Sequence, residues 1–201
     1  MKAVWLTLGL MLILFSAAPL RAQKQFDLFG GYSYLRASAT DTVTIACPNP
    51  PCGTTTFSAN SNLNGWEGSV EYKLTDAVGL VADFSGHYGS IPTGFGGASV
   101  HTNAYLFGPQ ISYPARISPF AHVLLGVAHE STASGPGPIF LGHSSNAFTM
   151  GLGGGIDVRV FAPDVRPTLW VRLIQVDYLA SHFPSNLQNQ ARISAGVVFR
   201  F

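Results

Sequence analysis

Charge is scarce in this chain, and so are cysteine and long apolar runs. Of its 201 residues 10% are charged, and neither sign forms a block, so the composition implies neither nucleic acid nor an acidic partner. Two cysteines are too few for a disulfide framework or a Cys-based metal site. Beyond the first 22 residues nothing approaches the roughly 18 uninterrupted apolar residues of a membrane-spanning helix. If the chain spans a membrane it must do so as a closed barrel, the other way of pairing every backbone amide away from water. The excess of Leu, Ala, Glu and Lys typical of helical proteins is missing too, whereas 47% of residues are hydrophobic and 22 are glycine, a mix that suggests strands in one domain.

Residues 1–22 read as a cleaved secretory signal. Lys2 supplies a positive start, an apolar run follows from Ala3 to Phe15, and small residues lead to Ala22. Leu20 is large for the third position before the cut, so an uncleaved anchor is the competing reading; the absence of cysteine after Ala22 argues against a lipoprotein. Removing Lys2 and Arg21 leaves nine basic residues against ten acidic ones in the mature domain, residues 23–201. Cys47 and Cys52 bracket a Pro-rich stretch, CPNPPC, where an exported protein would form a local disulfide.

From Phe26 onward, segments of about ten residues alternate apolar and polar, the pattern of transmembrane barrel strands. In the second segment Trp66, Gly68, Val70, Tyr72 and Leu74 oppose Glu67, Ser69, Glu71 and Lys73. In the third, Leu80, Ala82, Phe84, Gly86 and Tyr88 oppose Asp83, Ser85 and His87. The sixth sets Phe148, Met150, Leu152, Ile156 and Val158 against Thr149, Asp157 and Arg159, and the eighth sets Ile193, Ala195, Val197, Phe199 and Phe201 against Arg192, Ser194, Gly196 and Arg200. The first offers Phe26, Leu28, Tyr32 and Tyr34 outward against Asp27 and Ser33, and the fifth turns His122 inward between Ala121, Val123 and Leu125. The fourth, His101 to Tyr113, fits either parity. In the seventh, Arg172 and Asp177 have opposite parity, so placing both inside requires a β-bulge between them. The expected inward charges are therefore Asp27, Glu67, Glu71, Asp83, Asp157 and Asp177 against Lys73, Arg159, Arg172, Arg192 and Arg200.

Long polar links are expected near 36–62, 89–99, 130–147 and 180–190, with short turns near 74–78, 113–118 and 161–167. That alternation is the order of an eight-stranded antiparallel up-and-down barrel with both chain ends on the short-turn side. Aromatics fall near both ends: Tyr34, Trp66, Tyr88 and Tyr178 by the long links, Phe26, Tyr72, Tyr113, Phe120 and Phe201 by the short turns, as two interface belts.

The last residues, Ser194-Ala-Gly196-Val-Val-Phe199-Arg-Phe201, place a glycine two after a polar residue and aromatics at the third-last and last positions. This resembles the C-terminal assembly signal of bacterial outer-membrane proteins, and the mature chain as a whole resembles the OmpA-like small eight-stranded outer-membrane barrels. The resemblance implies insertion by the barrel-assembly machinery, with Gly196, Phe199 and Phe201 as recognition residues, and contact with outer-membrane lipid and lipopolysaccharide. With the chain ending at Phe201, no peptidoglycan-binding domain is expected to follow.

Eight strands enclose an interior that side chains can fill, and six acids against five bases suggest a cross-linked plug instead of an ion-selective pore. The expected function is a structural or surface-interaction role for a monomer, without catalysis, cofactor or metal; a narrow pore is one alternative. The other is an enzyme. His143-Ser144-Ser145-Asn146 resembles the His-x-Ser-Asn stretch of outer-membrane lipid A deacylases, in which His is base to a Ser nucleophile, and Asp157 stands where the orienting acid would. Here, however, the motif precedes the sixth strand instead of ending the seventh, and Asp157 falls near the opposite end of its strand. A similar segment, Ser181-His182-Phe183-Pro184-Ser185-Asn186, has an extra residue between His and Ser and reads as loop.

Overall fold

The computed structural model describes residues 26–44, 54–91, 98–134, 142–160, 167–182 and 187–201. The expected signal segment and the Cys47–Cys52 stretch lie outside them. The described residues form eight strands: β1 (Phe26–Thr44), β2 (Thr54–Lys73), β3 (Val78–Ile91), β4 (Ala98–Ser112), β5 (Ile117–Ser134), β6 (Gly142–Arg159), β7 (Thr168–His182) and β8 (Leu187–Arg200). Each pairs antiparallel with its sequence neighbour, and β1 pairs with β8, so the sheet closes into a barrel without edges.

Parity decides which face each residue takes. Where apolar and charged residues alternate, the charged set turns inward and the apolar set outward: Asp83, Ser85 and His87 are buried while Leu80, Phe84 and Tyr88 are exposed. In β4, whose parity the sequence leaves open, Thr102, Ala104, Leu106 and Gln110 point in and Tyr105, Phe107 and Ile111 out. The bulge expected in β7 is present. The register shifts between Arg172 and Gln175, so Leu173 and Ile174 are both exposed and Arg172 and Asp177 are both buried.

The outer wall is apolar all round, from Phe26 and Leu28 on β1 to Val197 and Phe199 on β8. A soluble barrel would not leave so continuous a surface uncovered; a bilayer covers it. Toward the long links the belt ends in tyrosines that hydrogen-bond across strands, Tyr34 to Asn62 and Tyr178 to Asn189, both at 2.8 Å. At the other rim Phe26 packs on Tyr72 with ring centroids 5.2 Å apart. Phe120 departs from the expected belt: it is buried, inside the barrel, because it shares parity with the inward His122 and Ser118.

Much of what reads as long link is paired strand. Residues 36–44 pair with 54–62, 89–91 with 98–100, 130–133 with 142–145, and 180–182 with 187–189. The sequence of these stretches is rich in Ser, Thr, Asn and Gly and lacks the apolar–polar alternation that marks membrane strands, although backbone pairing continues.

Candidate functional site

The lumen is where the sequence places its unusual chemistry, and the structure fills it in layers. Near the middle stands Arg192 of β8, fully buried. Its Nη1 donates to Asp83 at 2.7 Å and to Ser85 at 3.2 Å, and its Nε donates to Asp177 at 2.9 Å, with Glu67 3.3 Å away. One cation thus holds carboxylates from β2, β3 and β7. Gln175 ties the same acids together, donating to Glu67 at 2.8 Å and to Asp177 at 2.7 Å. His122 lies 2.7 Å from the other oxygen of Asp177, and Ser33 joins His87 and Ser194 at 2.9 Å each. Charges this far from water persist when their hydrogen-bonding capacity is met in this way.

A second network fills the short-turn half. Asp157 accepts from Arg172 at 2.8 Å and from Arg200 at 3.0 Å. Asp27 pairs with Arg200 at 2.9 Å and with Lys73 at 3.6 Å, and Lys73 reaches Glu71 at 3.0 Å. Gln110 donates to Glu71 and lies 3.4 Å from His122, which joins the two networks. The Arg172 guanidinium is stacked between Phe29 and Phe120, 4.2 and 4.3 Å from their ring centroids, and Arg200 lies 3.7 Å over Trp170. Such stacking favours arginine over lysine, whose compact ammonium has no planar face.

Toward the long links the lumen turns apolar. Leu35, Leu63, Leu106, Leu124, Ala128 and Leu179 belong to one buried cluster. Leu35 is the Cα partner of Arg192, and Leu179 follows Asp177 by one inward step, so the cluster borders the Arg192 network on that side. Glycines make room for the larger groups: a Cβ at Gly153 would collide with the Asp177 carboxylate, and one at Gly196 with the backbone of Gly30 and Gly31 across the β1–β8 seam.

Of the eleven charges expected inside, ten take part in these ion pairs. Arg159 does not: among the described residues its recorded partner is the Trp170 ring, 5.7 Å away. Sequence reading missed the inward aromatics Phe29, Phe120 and Trp170 and the apolar cluster. Their parity was the available signal, since Phe29 shares that of Asp27 and Leu124 that of His122. Phe199 and Phe201 are exposed on the lipid side.

The deacylase-like motif lies within β6, not ahead of it. Ser145 is the Cα partner of Glu130, while Asp157 is twelve residues further along the same strand, about 40 Å at the rise of a β-strand, where it is held by Arg172 and Arg200. Ser181 bonds to Thr149 at 2.9 Å inside the barrel; it and His182 end β7, and residues 183–186 lie outside the described set.

No protein-family profile matches the sequence, and no curated protein matches it. Solved structures do. The attachment invasion locus protein Ail of Yersinia pestis, crystallised with the heparin analogue sucrose octasulfate, is similar over 90% of this chain and 100% of its own at 14% identity, with a TM-score of 0.59. Neisserial surface protein A is similar over 85% of this chain and 97% of its own at 12% identity, with a TM-score of 0.52. The chain therefore has the fold of the small eight-stranded bacterial outer-membrane β-barrels, the architecture that the OmpA-like resemblance of its sequence implied.

Proposed function

We propose that the protein is a non-enzymatic, monomeric barrel that makes contact at the cell surface through strands raised above the membrane on a filled, rigid cylinder. The observation that carries this reading is the β1–β2 pair, which continues without a register break for nine residue pairs, Arg36↔Asn62 to Thr44↔Thr54, past the last inward leucines. Nine pairs extend about 30 Å. Binding residues tend to sit on such projections from a rigid scaffold. Ail, a barrel of the same fold, was solved with a heparin analogue bound, which supports surface contact as a use of the architecture. On this reading the belt meets outer-membrane lipid and lipopolysaccharide, and the barrel-assembly machinery engages Phe199 and Phe201 during insertion.

Deleting residues 38–60 is expected to leave a barrel that still shifts on gels between unboiled and boiled samples, while bacteria expressing it lose adhesion to cell monolayers. Full adhesion by a folded deletion protein would exclude the projection as the contact surface. The enzyme alternative has its own readout. Ser145→Ala is expected to leave the lipid A acyl-chain profile unchanged in mass spectra, and a profile that reverts to that of cells lacking the protein would establish a deacylase.

A further inference from the structure

The short-turn mouth of the lumen opens into a cavity of about 440 Å³ whose lining includes Lys73, Arg116, Ser118, Arg159, Trp170 and Arg200. Two of these groups are buried donors that find no acceptor among the described residues. Trp170 is 6% exposed and Ser118 1% exposed, yet among the described residues the indole Nε1 and the Ser118 Oγ have no hydrogen-bond partner. An indole N–H can only donate, and leaving it dry inside a protein is costly. Two of the arginines are similarly uncommitted. Lys73, Arg172 and Arg200 are engaged by Asp27, Glu71 and Asp157. Among the described residues neither Arg159 nor Arg116 has a carboxylate within ion-pair distance, and Asp76 is the one acid that lines the cavity.

The oxygens of Asp27 also lack hydrogen bonds, but that carboxylate is held by ionic contact with Arg200 and Lys73 and does not line the cavity, so the mouth itself presents mostly donors. A ligand that completes it must be an acceptor with several oxygens and negative charge, matching guanidinium forks as well as a single N–H. We propose that this cavity binds a phosphate-class oxyanion, with Arg159 and Arg116 supplying charge and Trp170 and Ser118 supplying the buried hydrogen bonds. The volume is larger than one phosphate group needs, so the anion can carry a substituent. Two sources share this chemistry at a membrane rim: a soluble phosphate compound and the headgroup of an anionic phospholipid.

The test uses the full mature barrel folded in zwitterionic detergent, titrated calorimetrically with inorganic phosphate at low salt, with chloride as competitor. Saturable binding is expected, weakened about tenfold by Arg159→Gln and by Trp170→Phe, which keeps an aromatic ring beneath Arg200 and removes the donor. The heat-dependent gel shift reports that each variant is folded, and Ser118→Ala provides a third, minimal change. Absence of saturable phosphate binding, or binding that neither Arg159→Gln nor Trp170→Phe weakens, overturns the site. Repeating the titration in nanodiscs separates the sources: loss of phosphate binding when phosphatidylglycerol replaces phosphatidylcholine identifies a headgroup as occupant, and unchanged binding identifies a soluble anion.

Discussion

Replacing Arg192 by leucine is expected to destabilise the folded barrel by about 3–5 kcal/mol, the range for removing one partner of a buried ion-pair network. The cost does not come from losing favourable contacts alone. Asp83, Asp177 and Glu67 are all 1% exposed, and without the guanidinium three carboxylates would share one dry region. Urea unfolding in lipid vesicles measures the loss. The interpretation requires that Asp83→Asn, Asp177→Asn and Glu67→Gln, introduced together into the Arg192→Leu protein, restore much of the stability, since neutral groups of similar shape relieve the repulsion. A stability within about 0.5 kcal/mol of the starting protein for Arg192→Leu alone would mean that water reaches the network and that the lumen is not sealed there.

Phe107→Arg is the second large effect, and its sign depends on what surrounds the barrel. Phe107 is 66% exposed, so in water an arginine there would change stability by no more than about 0.5 kcal/mol. In a bilayer the position lies in the middle of the belt, facing lipid beside its partners Ala82 and Leu125. An arginine near the midplane costs about 2–4 kcal/mol, falling to about 0–1 near the interfaces. Asn103→Arg, on the same strand and toward the long links, is the control expected to stay at the small end. Equal effects at both positions would contradict the placement of the membrane around the barrel.

The strands were legible because lipid and lumen demand opposite chemistry from alternate residues. Asp83, Ser85 and His87 against Phe84, Gly86 and Tyr88 leave one consistent choice of face, and even the β7 bulge followed from requiring that Arg172 and Asp177 both avoid lipid. Legibility failed where that contrast fails. In β4 Leu106 and Phe107 are adjacent and both apolar, so hydrophobicity cannot say which enters the lumen. Above the membrane both faces of a strand meet water, and the Thr- and Ser-rich extensions of β1 and β2 resemble loop although their backbones stay paired. The apolar inner cluster was hidden by an assumption that inward means polar. That Arg159 has no ion pair among the described residues could not be read at all, because parity assigns a face and not a partner.

The wiring of the central network also ties the charge balance of the lumen to the closure of the wall. Arg192 is on β8, the last strand in the chain, while the acids it holds come from β2, β3 and β7. A barrel without β8 in place between β7 and β1 would hold those acids without their main counterion, and desolvating them would be unfavourable. The strand that supplies the cation is also the one that closes the seam at Gly31 and Gly196. A dry lumen and a complete wall therefore depend on the same strand.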